Sequence, residues 1–298
     1  MNKKLSDFVV NEVIPLESLL LTNDFSTLIK KLDNLREEVK KKGWWTPFLP
    51  KNDGGMGLSL TQFAEISEIL GTSPLGHYAF NCQAPDIGNI ELLRGHGSPN
   101  QKTTFLDPLV AGNIRSCFAM TEPDVASSVA TNIRCSIKRD GGDYVINGRK
   151  WFTTGAMRES CEILIVMGKT DPDNPNLHAQ QSMVMVPKNT PGVKIVRHVK
   201  TLGYDDAPFG EPEVLFENVR VPVENILLDE GQGFKIAQSR LGPGRIHHCM
   251  RLIGGARRAL ELVLVKVSAY AASEVDKAAM RVVSAAWPGV VHPVSYTH

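Results

Sequence analysis

What the chain lacks narrows it first. None of its apolar runs approaches the roughly 18 residues of a membrane helix, so no span is expected anywhere in its 298 residues. Its five cysteines, at 82, 117, 135, 161 and 249, are scattered and include no C-x-x-C pair, the pattern of plain reduced thiols and not of a zinc site or a disulfide framework. There is almost no charge imbalance. Thirty-three Lys and Arg stand against 32 Asp and Glu, a net charge of +1, which supplies no field to hold a polyelectrolyte, so nucleic acid is not an expected partner. The first residues carry Lys3 and Lys4 and then an amphipathic pattern containing Asp7, Glu12 and Glu17. With no continuous apolar core and with acids present, they read as a first helix and not as a secretory or transit segment. The compartment expected from this is the cytoplasm in a bacterium, and the mitochondrion or peroxisome in a eukaryote.

Three blocks follow from the change of hydrophobic period. Up to about residue 114 the pattern is helical: Leu28, Ile29, Leu32, Leu35 and Val39 recur at helical spacing, and the lysines 40–42 with Gly43 form a cationic last turn and C-cap. Ser59 caps a helix bearing Phe63, Ile66 and Ile69, and Ser98-Pro99-Asn100-Gln101 is a capping box expected to open one helix over 101–110. From 115 to about 225 the period becomes alternating, with a hairpin turning at Asp140-Gly141-Gly142 and strands expected at 162–168, 182–186, 193–199 and 213–216. Helical pattern then returns. A helix is expected over 234–241, broken at Gly242-Pro243-Gly244, and a second from Arg245 towards Trp287. The predicted domains are therefore 1–114 helical, 115–225 β and 226–298 helical.

Chemistry concentrates in residues 116–156. An apolar strand runs into Thr121-Glu122-Pro123 and the small-residue loop Val125-Ala126-Ser127-Ser128, a place of free donors and little bulk suited to a phosphate or the edge of a planar heterocycle. After the hairpin come Asn147-Gly148-Arg149-Lys150-Trp151-Phe152-Thr153-Thr154, where rings and hydroxyls stand together at a strand end and can pack on a flat ring while bonding its polar edge. His247-His248-Cys249 invites a metal reading, but neighbours on a helix point about 100° apart and cannot converge on one ion.

These two motifs, in this order and with a hairpin between them, resemble the middle domain of the acyl-CoA dehydrogenases, which carry an aromatic, then (V/L/M)-T-E-P, a loop ending in Ser, and N-G-x-K-x-(W/F)-x-(T/S). The wording "MTEPDVASS" and "GPGRIHHCMR" resembles in particular the branch with family members 10 and 11. The resemblance implies an α+β multidomain fold, with an N-terminal helical domain, a central antiparallel β-barrel-like domain and a C-terminal α-bundle. It covers Met1 to about Val263, and the divergent end beyond it is expected to be a truncated, incomplete bundle with an uncovered apolar stripe along 245–287. It implies FAD as cofactor, an acyl-CoA thioester as substrate, α,β-desaturation within fatty-acid oxidation, and an electron-transfer flavoprotein-type acceptor. Family members assemble as homodimers or homotetramers.

Carried over by position, Phe118, Met120, Thr121, Ser127, Phe152 and Thr154 are the expected cofactor residues, and Ser127 and Arg245 the expected substrate contacts. No catalytic base is named: most of the family take that carboxylate from the C-terminal region, where this chain departs from the pattern, and an inactive truncated form is one of the expected readings. A minority of the family place that carboxylate just before Arg245, where this chain has Gly244, and Asp205 and Asp206 read as a solvated loop pair. The family's acidic residue after the loop serines is here Val129, which accepts no hydrogen bond. Two other readings stay open: a non-catalytic relative acting as a binding module, and an acyl-CoA oxidase-like flavoenzyme that consumes oxygen.

Overall fold

The computed structural model describes residues 1–262, and the divergent C-terminal stretch read above lies mostly outside the described residues. The chain divides into two units, Met1–Gly255 and Ala256–His298. Of the second, only the end of a helix is described, and it carries the pair Arg257–Glu261.

The first block consists of helices α1 (Asn2–Phe8), α2 (Glu17–Leu21), α3 (Phe25–Lys41), α4 (Leu60–Gly71), α5 (Gly76–Ala79), α6 (Asp86–His96), α7 (Pro99–Gln101) and α8 (Asp107–Ala111). Helix α3 begins where the Asp24 carboxylate accepts from the Thr27 N–H at 3.2 Å and buries Leu28, Leu32, Leu35 and Val39. It ends at Gly43, whose φ of +70° is reached without the strain a Cβ would add. Ser59 and Ser98 both form complete capping boxes, with Gln62 and Gln101 as their partners. The single helix expected over 101–110 is interrupted: a wide turn at Lys102–Leu106 separates α7 from α8, and Pro108, at the head of α8, has no N–H with which to continue an i→i−4 ladder.

The second block is one seven-stranded sheet of β1 (Arg115–Ala119), β2 (Ser136–Asp140), β3 (Asp143–Lys150), β4 (Cys161–Lys169), β5 (Gln181–Pro187), β6 (Val193–His198) and β7 (Pro212–Pro222). Its order is β1-β4-β2-β3-β7-β6, with β5 also on β4. Most pairs are antiparallel, as expected, but β1 and, at Ser136 opposite Lys169, β2 run parallel to β4. That parallel pairing brings the start of the first motif into the sheet core, where Cys117 and Ala119 are fully buried. The architecture follows the expected order of helices, a central sheet and a further helix.

That last helix, α9 (Gly233–Leu262), corrects the sequence reading. It passes without a break through Pro243, although an internal proline costs roughly 3 kcal/mol. Tertiary packing outweighs that penalty. Gly254 lies so close to α4 that a Cβ there would come within 2.0 Å of the Glu68 carbonyl oxygen, and the Ser67 hydroxyl donates to the His247 carbonyl at 2.8 Å. On the part of the predicted apolar stripe that is described, Ile246 and Leu252 are exposed. Among the described residues no helix is long and apolar enough to cross a membrane.

Candidate functional site

The ends of β1 and β3 bring the two motifs together. The Trp151 N–H donates to the Thr121 carbonyl at 3.0 Å and the Thr121 hydroxyl donates to the Trp151 carbonyl at 2.9 Å, a two-way clasp between segments thirty residues apart. Behind it lies a buried polar knot. The Lys150 ammonium, fully buried, donates to the Met120 carbonyl and to Glu122, each at 2.8 Å. Glu122 also accepts the N–H groups of Arg134 and Cys135 at 2.7 and 2.9 Å. Its carboxylate is thus answered on both oxygens, a structural role, as a buried charge requires.

Ser127 belongs to the same knot. Its hydroxyl accepts from the Glu122 N–H at 2.6 Å and donates to the Glu122 carbonyl at 2.9 Å. Because a hydroxyl has a single proton to give, this one is committed inside the loop, and the residue is 4% exposed.

In front of the knot the motif opens outward. Phe152 is 37% exposed, packs on Trp151 with ring centroids 4.8 Å apart, and has a φ of +48°. A bulky side chain in that region of backbone space carries about 1–3 kcal/mol of strain, a feature concentrated at functional sites. Two residues on, the Thr154 hydroxyl faces the Glu211 carboxylate at 3.3 Å, while Thr153 between them turns inward, its N–H donating to the Pro212 carbonyl. Phe118 and Met120 lie on the opposite side of β1 from Cys117 and Ala119 and, partly buried, pack against the core that α6 and α9 share with the sheet.

The sequence reading missed Arg240. Its guanidinium lies 4.0 Å from the Phe118 ring centroid and donates to the Asn89 side chain at 3.1 Å and the Pro85 carbonyl at 3.4 Å. Burial pushes it down to about 10. A lone arginine before Gly242-Pro243-Gly244 gives no signal in the sequence, because the partners that mark it come from α6 and the residue before it. Arg245, five positions on, is exposed and on a different face of α9. His247 is buried, pushed down to about 3 by burial and by His248, while Cys249 is exposed. Among the described residues no group of three His, Cys, Asp or Glu side chains is placed to hold a metal. Asp206 is half-buried where the sequence reading had it solvated, and burial, with Glu211 next, holds its carboxyl above the usual range.

Residues 1–113 match the acyl-CoA dehydrogenase N-terminal domain and residues 117–219 its middle domain. A solved Mycobacterium abscessus chain described as an acyl-CoA dehydrogenase is 43% identical, with a TM-score of 0.83 over 87% of this chain and 67% of that one. The chain belongs to the acyl-CoA dehydrogenase family. Among curated relatives of this family, mouse acyl-CoA dehydrogenase family member 10 is 47% identical over 89% of this chain, and human family member 11 is 52% identical over 78%. The chain spans only 26% and 30% of the length of those two proteins. The two halves of the clasp, Thr121 and Trp151, both lie within the stretch that matches the middle domain.

Proposed function

We propose that this acyl-CoA dehydrogenase family chain binds FAD at the clasp and takes part in α,β-desaturation of an acyl-CoA thioester in fatty-acid oxidation, passing electrons to an electron-transfer flavoprotein-type acceptor. The observation that carries the reading is the exposed Phe152 ring, held at positive φ beside a clasp that joins both motifs. A partly exposed aromatic on strained backbone is poorly explained as core packing and well explained as a platform for a flat partner.

The residues present fit such a group. Phe152 would pack against it, Thr154 would offer a hydroxyl to its polar edge and Thr121, whose proton goes to the Trp151 carbonyl, would offer only an acceptor oxygen, and Met120 and Phe118 would close the apolar side, with Arg240 fixing the Phe118 ring. When bound, FAD supplies the acceptor for the hydride that leaves the β-carbon, and the α-proton lost with it needs a carboxylate that is not among these residues. The chain's own contribution is rigidity: the Lys150–Glu122 pair fixes the backbone of both motifs, so a cofactor or thioester would meet groups already in place. Ser127 contributes by shaping the loop, its proton being used at Glu122.

Titrating the purified chain with FAD tests this. Flavin absorbance is expected to co-elute with the protein on gel filtration, and an acyl-CoA added anaerobically is expected to bleach it. Flavin that elutes entirely apart from the protein defeats the proposal and favours the non-catalytic binding module. Bleached flavin that regains its colour only with oxygen uptake, and not with an electron-transfer flavoprotein, favours the oxidase.

A further inference from the structure

On another part of the molecule, three guanidinium groups from three different elements meet around one ring. Arg36 of α3, Arg115 of β1 and Arg158 of the turn before β4 place their guanidinium carbons 4.8, 4.4 and 5.3 Å from the Tyr78 centroid. Arg36 and Arg115 are 4% and 2% exposed. One carboxylate pairs directly with the cluster, while Asp33 beside Arg36 and Asp206 beside Arg158 act at longer range. Asp86 lies 3.1 Å from Arg115 Nη1 and spends its other oxygen on the Ser116 N–H and hydroxyl, both at 2.7 Å. The remaining contacts of the guanidiniums are neutral: Arg36 donates to the carbonyls of Tyr78 and Gly112, Arg115 to the Asn81 side chain, and Arg158 to the Gln83 side chain.

Two of the nitrogens, Arg115 Nη2 and Arg158 Nε, are buried and have no hydrogen-bond partner. Burial, and next the charge of Arg115, pushes both Arg36 and Arg158 down to about 10. Contact with an aromatic face attracts a cation but neutralises nothing. Buried cations are ordinarily paired, and unpaired buried N–H groups are ordinarily satisfied.

All three arginines line a crevice of about 840 Å³, together with Tyr78, Gly112 and Phe209. None of the residues proposed to hold the flavin lines it. Its rim carries Lys30 and Lys40 against Asp33, Glu37 and Glu159, an excess of one negative charge, so attraction and selectivity would reside at the base. We infer that this crevice is a binding site for a phosphate group, taken either as the free ion or as the phosphate monoester of a larger molecule. Unpartnered donors that arrive from separate directions suit a group with several oxygens better than a planar carboxylate. The volume exceeds what one phosphate fills and leaves room for an attached body.

Calorimetric titration of the full chain with inorganic phosphate and with glycerol 3-phosphate, at matched ionic strength in chloride and with glycerol as the uncharged control, tests the site. Saturable binding is expected, weakened at least tenfold by Arg158→Gln. That side chain is partly exposed, its one side-chain hydrogen bond goes to the neutral Gln83, and the variant gives up only the aromatic contacts with Tyr78 and Phe209, so it retains the fold. Glycerol 3-phosphate binding more tightly than phosphate identifies the monoester as the ligand, and phosphate binding alone identifies the free ion. Selenate soaked into crystals of the unmodified protein gives an independent readout, an anomalous peak within hydrogen-bond reach of Arg115 and Arg158. No binding, equal binding by Arg158→Gln, or a selenate peak elsewhere overturns the proposal.

Discussion

The knot behind the clasp and the face in front of it are built from the same two motifs, yet they obey opposite rules. In the knot, every strong polar group is answered: the Glu122 carboxylate takes three donors, the Lys150 ammonium reaches two oxygens, and the Ser127 hydroxyl both donates and accepts. On the face, within the next few residues, Phe152 is left partly exposed on unfavourable backbone and the Thr154 hydroxyl makes a long contact to a carboxylate. The knot is satisfied by the chain alone, and the face is not. A site of this kind separates the residues that hold geometry from those that present it, and the strain on the face persists because the knot over-determines the backbone beside it.

The sharpest way to break that division is to open the knot. Lys150→Met leaves the buried Glu122 carboxylate without its cation, and removing one partner of a buried pair costs about 3–5 kcal/mol. Denaturant unfolding of the chain measures this directly. A loss under about 1 kcal/mol would mean that Lys150 is no more than a surface-type pair and that the backbone of both motifs is fixed by something else.

Ser127→Ala is expected to cost less, about 1–3 kcal/mol, the penalty of leaving buried backbone groups of Glu122 without their partner. The measurement also decides between two roles for the residue. If Ser127 served a cofactor phosphate and not the loop, the substitution would leave the stability of the cofactor-free chain unchanged and appear only as weaker FAD binding.

How much of this is legible in the sequence follows the same division. The strands and caps are legible because they follow from local rules. Ser59 and Ser98 cap through side chains three residues away, and β4, found at Cys161–Lys169, lies within a residue of its expected bounds at each end. The two motifs are legible as a pair because a hairpin separates them by a length that returns the chain to its starting edge. What fails is whatever depends on distant partners. The break expected at Gly242-Pro243-Gly244 is a sound local inference, overridden by the packing of α9 against α4 at Gly254. Ser127 reads as a free loop hydroxyl until Glu122 is seen folded back over it. Arg36, Arg115 and Arg158 are separated by 79 and 43 positions, and no pattern in the sequence gathers them round Tyr78.

The smallest change in stability, and the one that most sharpens the comparison, is expected from Phe152→Gly. Glycine adopts the φ of +48° found there without steric cost, relieving about 1–3 kcal/mol of strain, while its greater freedom in the unfolded chain costs about 0.4–1 kcal/mol. Against this stands the loss of a ring that is only partly buried and touches Trp151, worth about 0.5–1.5 kcal/mol for an aromatic pair. The gain and the two losses nearly cancel, so the unfolding free energy of the cofactor-free chain should move by less than about 1 kcal/mol. FAD affinity should fall at least tenfold, about 1.4 kcal/mol, because the ring proposed as the flavin platform is gone. A knot residue behaves the other way, losing stability first and affinity only as a consequence. Should Phe152→Gly instead destabilise the chain by several kcal/mol while leaving FAD affinity intact, the ring belongs to the scaffold, and the strain at Phe152 would need an explanation other than a ligand.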